Sequence, residues 1–269
     1  MANKKLCILT SGGLDSTIAW YYALAHGYKE GEIIALWVDL NHPYAWKEKK
    51  ALDNLPFKVD RLSCPTIAEK WGNVPTIHQQ IIPGRNLLLA TIAASIGADR
   101  IWMGALAGEM HQFMRDKTHE FFHLSSGLFT FIFKDSREEV IVETPFKDMT
   151  KAQVVAWALT RGISVQTLSD TVSCYHETHQ RCGICSTCFK RWIAFTLSGV
   201  EEEHANCPWT SEEALKLIEN VIKAALSDDF SHYSPRRVIE TIEAMSTVRV
   251  LTTIETEAAD HARIRKTLE

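Results

Sequence analysis

Residues 6 to 17 restrict the possible folds more than any other stretch. Leu6 to Thr10 is a short apolar run that enters Ser11-Gly12-Gly13-Leu14-Asp15-Ser16-Thr17 without interruption. From Ser16 to Ala25, Ile18, Ala19, Tyr22 and Ala23 recur at helical spacing. A buried strand that turns through two glycines into a helix brings backbone N–H groups and the positive end of the helix to one point. Ser11, Ser16 and Thr17 add hydroxyl donors there. Such a turn traps phosphate; its bland counterpart is a glycine turn capped by serine. The stretch has neither the Gly-Lys-Ser/Thr ending of the loop that binds terminal phosphates nor the Gly-x-Gly-x-x-Gly dinucleotide fingerprint. Asp15 suits a phosphate site only if it holds a cation or orients the loop.

The segments that follow alternate in type. Ile33 to Leu40, Phe57 to Leu62, Ile101 to Gly104 and Val140 to Val142 read as strands. Ala45 to Leu55, Asn86 to Gly97 and a segment from Lys151 to about Arg161, capped by Thr150 and ended by Gly162, read as helices. Strands separated by helices predict an α/β fold with a parallel, doubly wound sheet. Ligands of such sheets sit at the carboxyl ends of the strands, which makes the loop at residues 11 to 17 the prime location for a site. Residues 105 to 140 read as loop and helix around the mouth of that cleft. Further on, Thr210 and Glu213 fit a capping box for a helix through about Leu226, and Ser234-Pro235 starts another. The tail from Ser246 is polar, either helical or frayed.

Composition narrows the class. The 269 residues, 46% hydrophobic and 23% charged, suffice to bury a core without staples. A net charge of −4 gives no electrostatic case for nucleic acid. The basic start at Lys4-Lys5 precedes only a brief apolar run, too short for a signal peptide, and no stretch approaches the roughly 20 apolar residues of a membrane span. A cytoplasmic location without membrane contact is expected. Of seven cysteines, Cys174, Cys182, Cys185 and Cys188 fall within fifteen residues. Two overlapping Cys-x-x-Cys units with a fourth thiol nearby have the spacing of a closed tetrahedral zinc site. Redox chemistry needs only one such pair, and an iron–sulfur cluster is a further use of four thiolates. His176 and His179 lie inside the cluster as substitutes for one thiolate.

The seven residues from Ser11 to Thr17 resemble the signature loop of the N-type ATP pyrophosphatases, which split ATP between its alpha and beta phosphates. Together with the cysteines they resemble the 7-cyano-7-deazaguanine synthase (QueC) family. Further matches are Pro83-Gly84-Arg85-Asn86, Thr144-Pro145-Phe146 with Lys151 after Met149-Thr150, Thr171-Val172-Ser173-Cys174-Tyr175, and Arg191-Trp192-Ile193-Ala194-Phe195. The resemblance runs from about residue 5 to residue 199, so the last seventy residues exceed it. It implies an adenine nucleotide alpha hydrolase-like domain over residues 1–165, with a zinc-bound helical region over residues 166–269 packed on it.

The activity implied is an ATP-dependent carbon–nitrogen ligase. It adenylates 7-carboxy-7-deazaguanine, converts it with ammonia to the amide and then to the nitrile, and releases AMP and pyrophosphate. Carried over by position, Thr10, Ser11, Gly12, Gly13, Leu14, Asp15, Ser16, Thr17 and Gly104 hold ATP, and Asp15, Ser16, Arg85 and Lys151 act in catalysis. Arg85, Asn86, Asp116 and Glu120 bind the deazapurine. Cys174, Cys182, Cys185 and Cys188 hold zinc, Mg2+ accompanies ATP, and a homodimer is expected. Two stretches depart from the family pattern. Within Gly108 to Phe121, Asp116, Glu120 and Phe121 match in spacing, whereas Met114, Arg115, Lys117 and Thr118 do not. The loop after the second strand reads Asp39-Leu40-Asn41-His42. These departures leave open an enzyme that stops at the amide or activates another carboxylate, including a protein terminus. A tRNA-modifying relative and a non-catalytic zinc-stabilised interaction module are the other readings.

Overall fold

The computed structural model describes residues 4–42, 45–64, 84–107, 109, 115–176 and 181–267. The chain forms two compact units, one from Met1–Ala105 and Arg115–Pro145, the other from Leu106–Met114 and Phe146–Glu269.

The first unit is built on a parallel sheet of five strands: β1 (Leu6–Leu9), β2 (Ile33–Asp39), β3 (Asp60–Ser63), β4 (Arg100–Trp102) and β5 (Ile141–Glu143). Their order is β3-β2-β1-β4-β5. Leu6 pairs with Ile33 on one side and with Arg100 on the other. The chain therefore leaves β1 outward through β2 and β3, then returns to the other side for β4 and β5. The crevice beyond the carboxyl ends of β1 and β4 is the switch point where open sheets of this kind take ligands. Strand β1 is central, and Leu6, Cys7 and Ile8 are fully buried, as a strand covered on both faces requires. Burial also pushes the Cys7 thiol up to about 12, so it serves as a core residue and not as a nucleophile.

Helices α1 (Leu14–Ala25), α2 (Ala45–Asp53), α3 (Arg85–Ser95) and α4 (His119–Phe133) belong to the same unit. Strand β3 starts at Asp60, three residues later than the sequence pattern suggests. Phe57 instead stacks on Trp20 of α1, with ring centroids 4.2 Å apart, and that contact ends the alternation on which the earlier start rests. Thr118 caps α4 by accepting from the Phe121 N–H.

The described part of the second unit is helical: α5 (Lys151–Thr160), α6 (Val165–Ser169), α7 (Ser186–Leu197), α8 (Glu212–Leu226), α9 (Pro235–Ser246) and α10 (Thr253–Thr267). Thr150 and Gln153 form a reciprocal capping box at α5, and Ser234 caps α9 ahead of Pro235. At α8 the cap is Ser211, which accepts from the Ala214 N–H at 3.1 Å, and not Thr210. The Thr210 hydroxyl donates to the Cys207 carbonyl, while the Glu213 carboxylate accepts from the Ser186 N–H at the start of α7. Helices α7 to α10 share one core that buries Phe189, Trp192, Ile218, Val221, Ile242 and Ala258. Ile218 and Val221 thus pack within the chain, with Ile222 against them.

The polar tail closes as a real helix because Glu255 is used twice. Its carboxylate accepts from the Thr252 N–H and hydroxyl at 2.8 and 2.9 Å, and its own N–H donates to the Thr252 hydroxyl. Both terminal nitrogens of Arg249 also reach it. The Arg249 hydrogen bonds hold Glu255 at about 2, against an ordinary 4.5. A depressed carboxyl stabilises the fold above its unfolded pKa and loses that contribution as pH falls through the folded value. The full shift corresponds to about 3 kcal/mol, and the exposure of Arg249 reduces this to roughly 1–2 kcal/mol. Urea unfolding should show the wild type losing that increment between pH 5 and pH 2. A Glu255→Gln variant should begin lower and show no such loss.

Candidate nucleotide and metal sites

The turn after β1 is built from backbone. The Thr10 N–H extends the pairing to the Leu36 carbonyl at 2.8 Å, and its hydroxyl is occupied by the Ile8 carbonyl. Gly12 has φ +69, and a Cβ there would meet Ala51 Cβ at 2.9 Å and the Glu48 carbonyl at 3.2 Å. The loop is thus pressed against α2 where no other residue fits. Gly13 precedes α1 in an extended conformation and gives it no side-chain cap, so the first-turn N–H groups need a partner from outside the helix. The Ser16 hydroxyl donates to the Gly13 carbonyl and accepts from the Ser11 N–H at 3.3 Å, closing the loop on itself. Leu14 is anchored in the core. Thr17 is fully buried, and its hydroxyl has no hydrogen-bond partner among the described residues.

Residues distant in sequence meet at this loop. The space left by the absent Gly104 side chain, just after β4, lies 3.7 Å from Asp15 Cβ, which places both at the switch point. Asp39, at the end of β2, pairs with Lys49 at 2.6 Å and accepts from the Asn41 N–H at 2.8 Å. Burial works against its carboxylate, yet these bonds leave its pKa below the usual range. Glu48 accepts from the Trp37 indole at 2.8 Å, and burial raises its pKa. His42 is lowered first by burial and then by the charge of Arg85. The Arg85 guanidinium therefore acts on both His42 and Glu48, on the side of the loop formed by α2. The Asn86 side-chain amide donates to the Asp116 carbonyl at 3.1 Å, joining two residues expected at the substrate site. Glu120 lies exposed in the first turn of α4. Pro83, Gly108, Met114 and His179 lie outside the described residues.

Lys151 belongs to the second unit, as the first residue of α5. It lines a cavity of about 50 Å³ with Lys190, Arg237 and Glu240. Burial raises the pKa of Glu240, which accepts from the Thr150 hydroxyl, and lowers that of Arg237.

The four cysteines form one cluster in which all sulfurs lie within 4.8 Å of one another; Cys182 Sγ and Cys188 Sγ are 3.9 Å apart. Backbone N–H groups of His176 and Cys182 point at Cys174 Sγ, and those of Ile184 and Cys185 at Cys182 Sγ, at 3.3–3.4 Å. Such donors favour thiolate over thiol. Hydrogen bonds from the Cys174 and Cys188 thiols drive the Cys185 pKa down, and the bonds that the Cys188 thiol itself makes to Cys174 and Cys185 drive Cys188 up. Gly183 makes the hairpin between ligands at φ +74, and a side chain there would run into the Asn206 carbonyl. The Asn206 amide holds the Cys182 carbonyl at 2.9 Å. A tetrahedral ion with bonds of about 2.3 Å spaces its sulfurs about 3.8 Å apart, so among the described residues the four sulfurs fit one metal ion.

Behind the cluster, all five N–H donors of buried Arg191 are used. Two go to the Glu202 carboxylate at 2.6 and 2.7 Å, and the others to the Thr171 and Ser173 hydroxyls and the Leu168 carbonyl. The family resemblance of the Arg191–Phe195 segment singles out Arg191 but gives no hint of Glu202, eleven residues on in an irregular segment.

The family profile described as queuosine biosynthesis protein QueC matches residues 63–199. A 7-cyano-7-deazaguanine synthase from Caldicellulosiruptor bescii is 30% identical over 221 residues, which cover 72% of this chain and 94% of that protein. Another, from Marinobacter nauticus, is 26% identical over the same shares of each chain. The chain belongs to the QueC family. Among solved structures, the U34-tRNA thiolase NcsA from Methanococcus maripaludis with its [4Fe-4S] cluster has a TM-score of 0.40 and 13% identity, covering 94% of this chain and 75% of that one. The family profile ends at residue 199, so α8 to α10 lie beyond it. No described helix is long and apolar enough to cross a membrane.

Gly12→Ala introduces both a left-handed alanine and a clash with α2. It should lower the unfolding free energy by about 1–3 kcal/mol, measured by urea denaturation.

Proposed function

We propose that the chain is an ATP-dependent carbon–nitrogen ligase that converts 7-carboxy-7-deazaguanine with ammonia to the nitrile. The observation that carries this reading is the turn at the switch point. N–H groups at the start of α1 that no side chain caps, the buried Thr17 hydroxyl and the close approach at Gly12 together suit an anion with several oxygens. The substrate carboxylate attacks the alpha phosphorus of ATP, the bond to the beta phosphate breaks, and pyrophosphate leaves. Charge gathers on pyrophosphate in that step, and fixed donors stabilise it without reorganisation. Ammonia then attacks the acyl carbon and AMP departs, leaving the amide. The amide oxygen attacks a second ATP in the same way, releasing a second pyrophosphate, and loss of AMP and two protons gives the nitrile.

In this reading Thr10 to Thr17 with Gly104 hold the nucleotide. Asp15, partly exposed beside the loop, suits the Mg2+ that accompanies it; that ion supplies charge neutralisation. Arg85, whose charge already reaches His42 and Glu48, neutralises phosphate or the substrate carboxylate. Asn86, Asp116 and Glu120 orient the base. Pyrophosphate release and a nitrile, followed by mass spectrometry with ATP, 7-carboxy-7-deazaguanine and ammonium, are the expected outcome. Asp15→Ala should lower kcat/KM by about 10²-fold. Accumulation of the amide would assign the altered Gly108 to Phe121 segment to a shortened reaction. Absence of pyrophosphate release across carboxylates would overturn the ligase reading.

The metal of the cysteine cluster is proposed to be zinc, with a structural role. A four-iron cube must fit between its cysteine sulfurs and needs a wider cage than this one. No open position remains for chemistry on the ion. Elemental analysis should find one zinc per chain, and Cys188→Ser should lose it. Chelation should lower the melting temperature.

A further inference from the structure

Among the described residues of the second unit, Arg181, Arg191, Arg236 and Arg237 are the arginines withdrawn from solvent. Three of them have acceptors. Arg181 donates to the Ser169 carbonyl at 2.6 Å, Arg191 uses all five donors, and Arg236 donates to the Asp148 carbonyl at 2.9 Å. Arg237 differs. Among the described residues its guanidinium makes no hydrogen bond or ion pair, and it lies against the Tyr233 ring, whose centre is 5.3 Å from its central carbon. Burial lowers its pKa against the attraction of Glu109 and Glu240. A desolvated guanidinium carries five donors, and leaving them without acceptors is costly. Its acceptors must come from whatever occupies the space in front of it.

That space is the cavity of about 50 Å³, whose charged lining is Lys151, Lys190, Arg237, Glu109 and Glu240. Three cations share it with two carboxylates. Burial raises the pKa of Glu240, so this carboxyl gives up its charge more readily than an exposed one, and the balance is positive. The first turn of α5, from Thr150 to Ala152, borders the same space, and the N-terminal end of a helix favours an anion. Ile193 and Leu217 add an apolar wall, and a charged hydrogen bond is stronger where water is scarce. One water needs about 10–15 Å³ of such space. The cavity therefore takes a few groups of that size, which suits the central atom and oxygens of one tetrahedral oxyanion and excludes a nucleoside. Arg237 and Glu240 lie on α9, beyond residue 199 where the family profile ends, whereas Lys151 and Lys190 lie within it. The C-terminal helices thus supply the cation that lacks an acceptor.

We propose that this cavity binds one tetrahedral oxyanion of the phosphate class, with Arg237 as its principal donor. Calorimetry of the full chain against sodium phosphate, at an ionic strength held constant with chloride, should show saturable binding. Arg237→Gln should weaken it about tenfold or more. Glu240→Gln removes a negative charge, keeps an acceptor for the Thr150 hydroxyl, and should tighten it. A purely structural role would move both variants the same way. Ser16→Ala, which alters the loop after β1, should leave the Arg237-dependent binding in place, so this site and the nucleotide reading stand or fall separately. AMP as a second probe separates the sources. Arg237-dependent binding of phosphate assigns the free ion; such binding of AMP alone assigns the phosphate group of a nucleotide whose nucleoside stays outside the cavity. A cavity that holds only water would bind neither probe. That result, equal binding by wild type and Arg237→Gln, or weaker binding by Glu240→Gln overturns the proposal.

Discussion

The first unit is organised around a turn that has no room for a side chain. Gly12 is pressed against Ala51 and the Glu48 carbonyl of α2, which ties the loop after β1 to the helix after β2. Because α2 is itself positioned by Trp37 of β2, through the indole bond to Glu48, the loop, the second strand and the second helix are held as one piece. The N–H groups at the start of α1 are thus aimed before any ligand arrives. Donors held in place by a packed scaffold do not have to be ordered during the reaction, and that is the condition under which they stabilise developing charge most.

The second unit is held around a different kind of constraint. Arg191 is a buried cation whose five donors all have acceptors, one of them the buried Glu202. Such a pair does little for stability against an apolar alternative, but removing one partner leaves the other charged and buried. What the network does is geometric. It gathers the ends of segments at Leu168, Thr171, Ser173 and Glu202 on one side chain, and Cys174 follows directly from that bundle. Asn206 holds the Cys182 carbonyl and lies close against Gly183, so polar contacts outside the cluster bear on Cys182 as well.

Signals that act over a few residues were readable in the chain. The cysteine cluster needed only its spacing, because fifteen residues cannot carry four thiols far apart. Caps at Thr150 and Ser234 were readable for the same reason. The cap at α8 was misplaced by one residue because Thr210 and Ser211 are both capping residue types; Ser211 caps the helix, and Glu213 instead accepts from the start of α7. The start of β3 was misread because alternation at Phe57 serves a stack on Trp20 and not a sheet face. The influence of Arg85 on His42 and Glu48 could not be read, since those residues come from separate helices and loops.

By itself the sequence determined the strand–turn–helix at residues 6 to 17, the thiol cluster and the helical character of most segments, because each rests on local geometry or on the period of apolar residues. Tertiary structure decided the strand order that puts Gly104 beside Asp15, the partner of Arg191, and which apolar helix positions are covered. Ile218 and Val221 of α8 and Leu128 and Phe131 of α4 look alike as sequence; the first pair is buried and the second is exposed. Periodicity shows that a helix has an apolar face, but what lies against that face depends on parts of the chain far away in sequence.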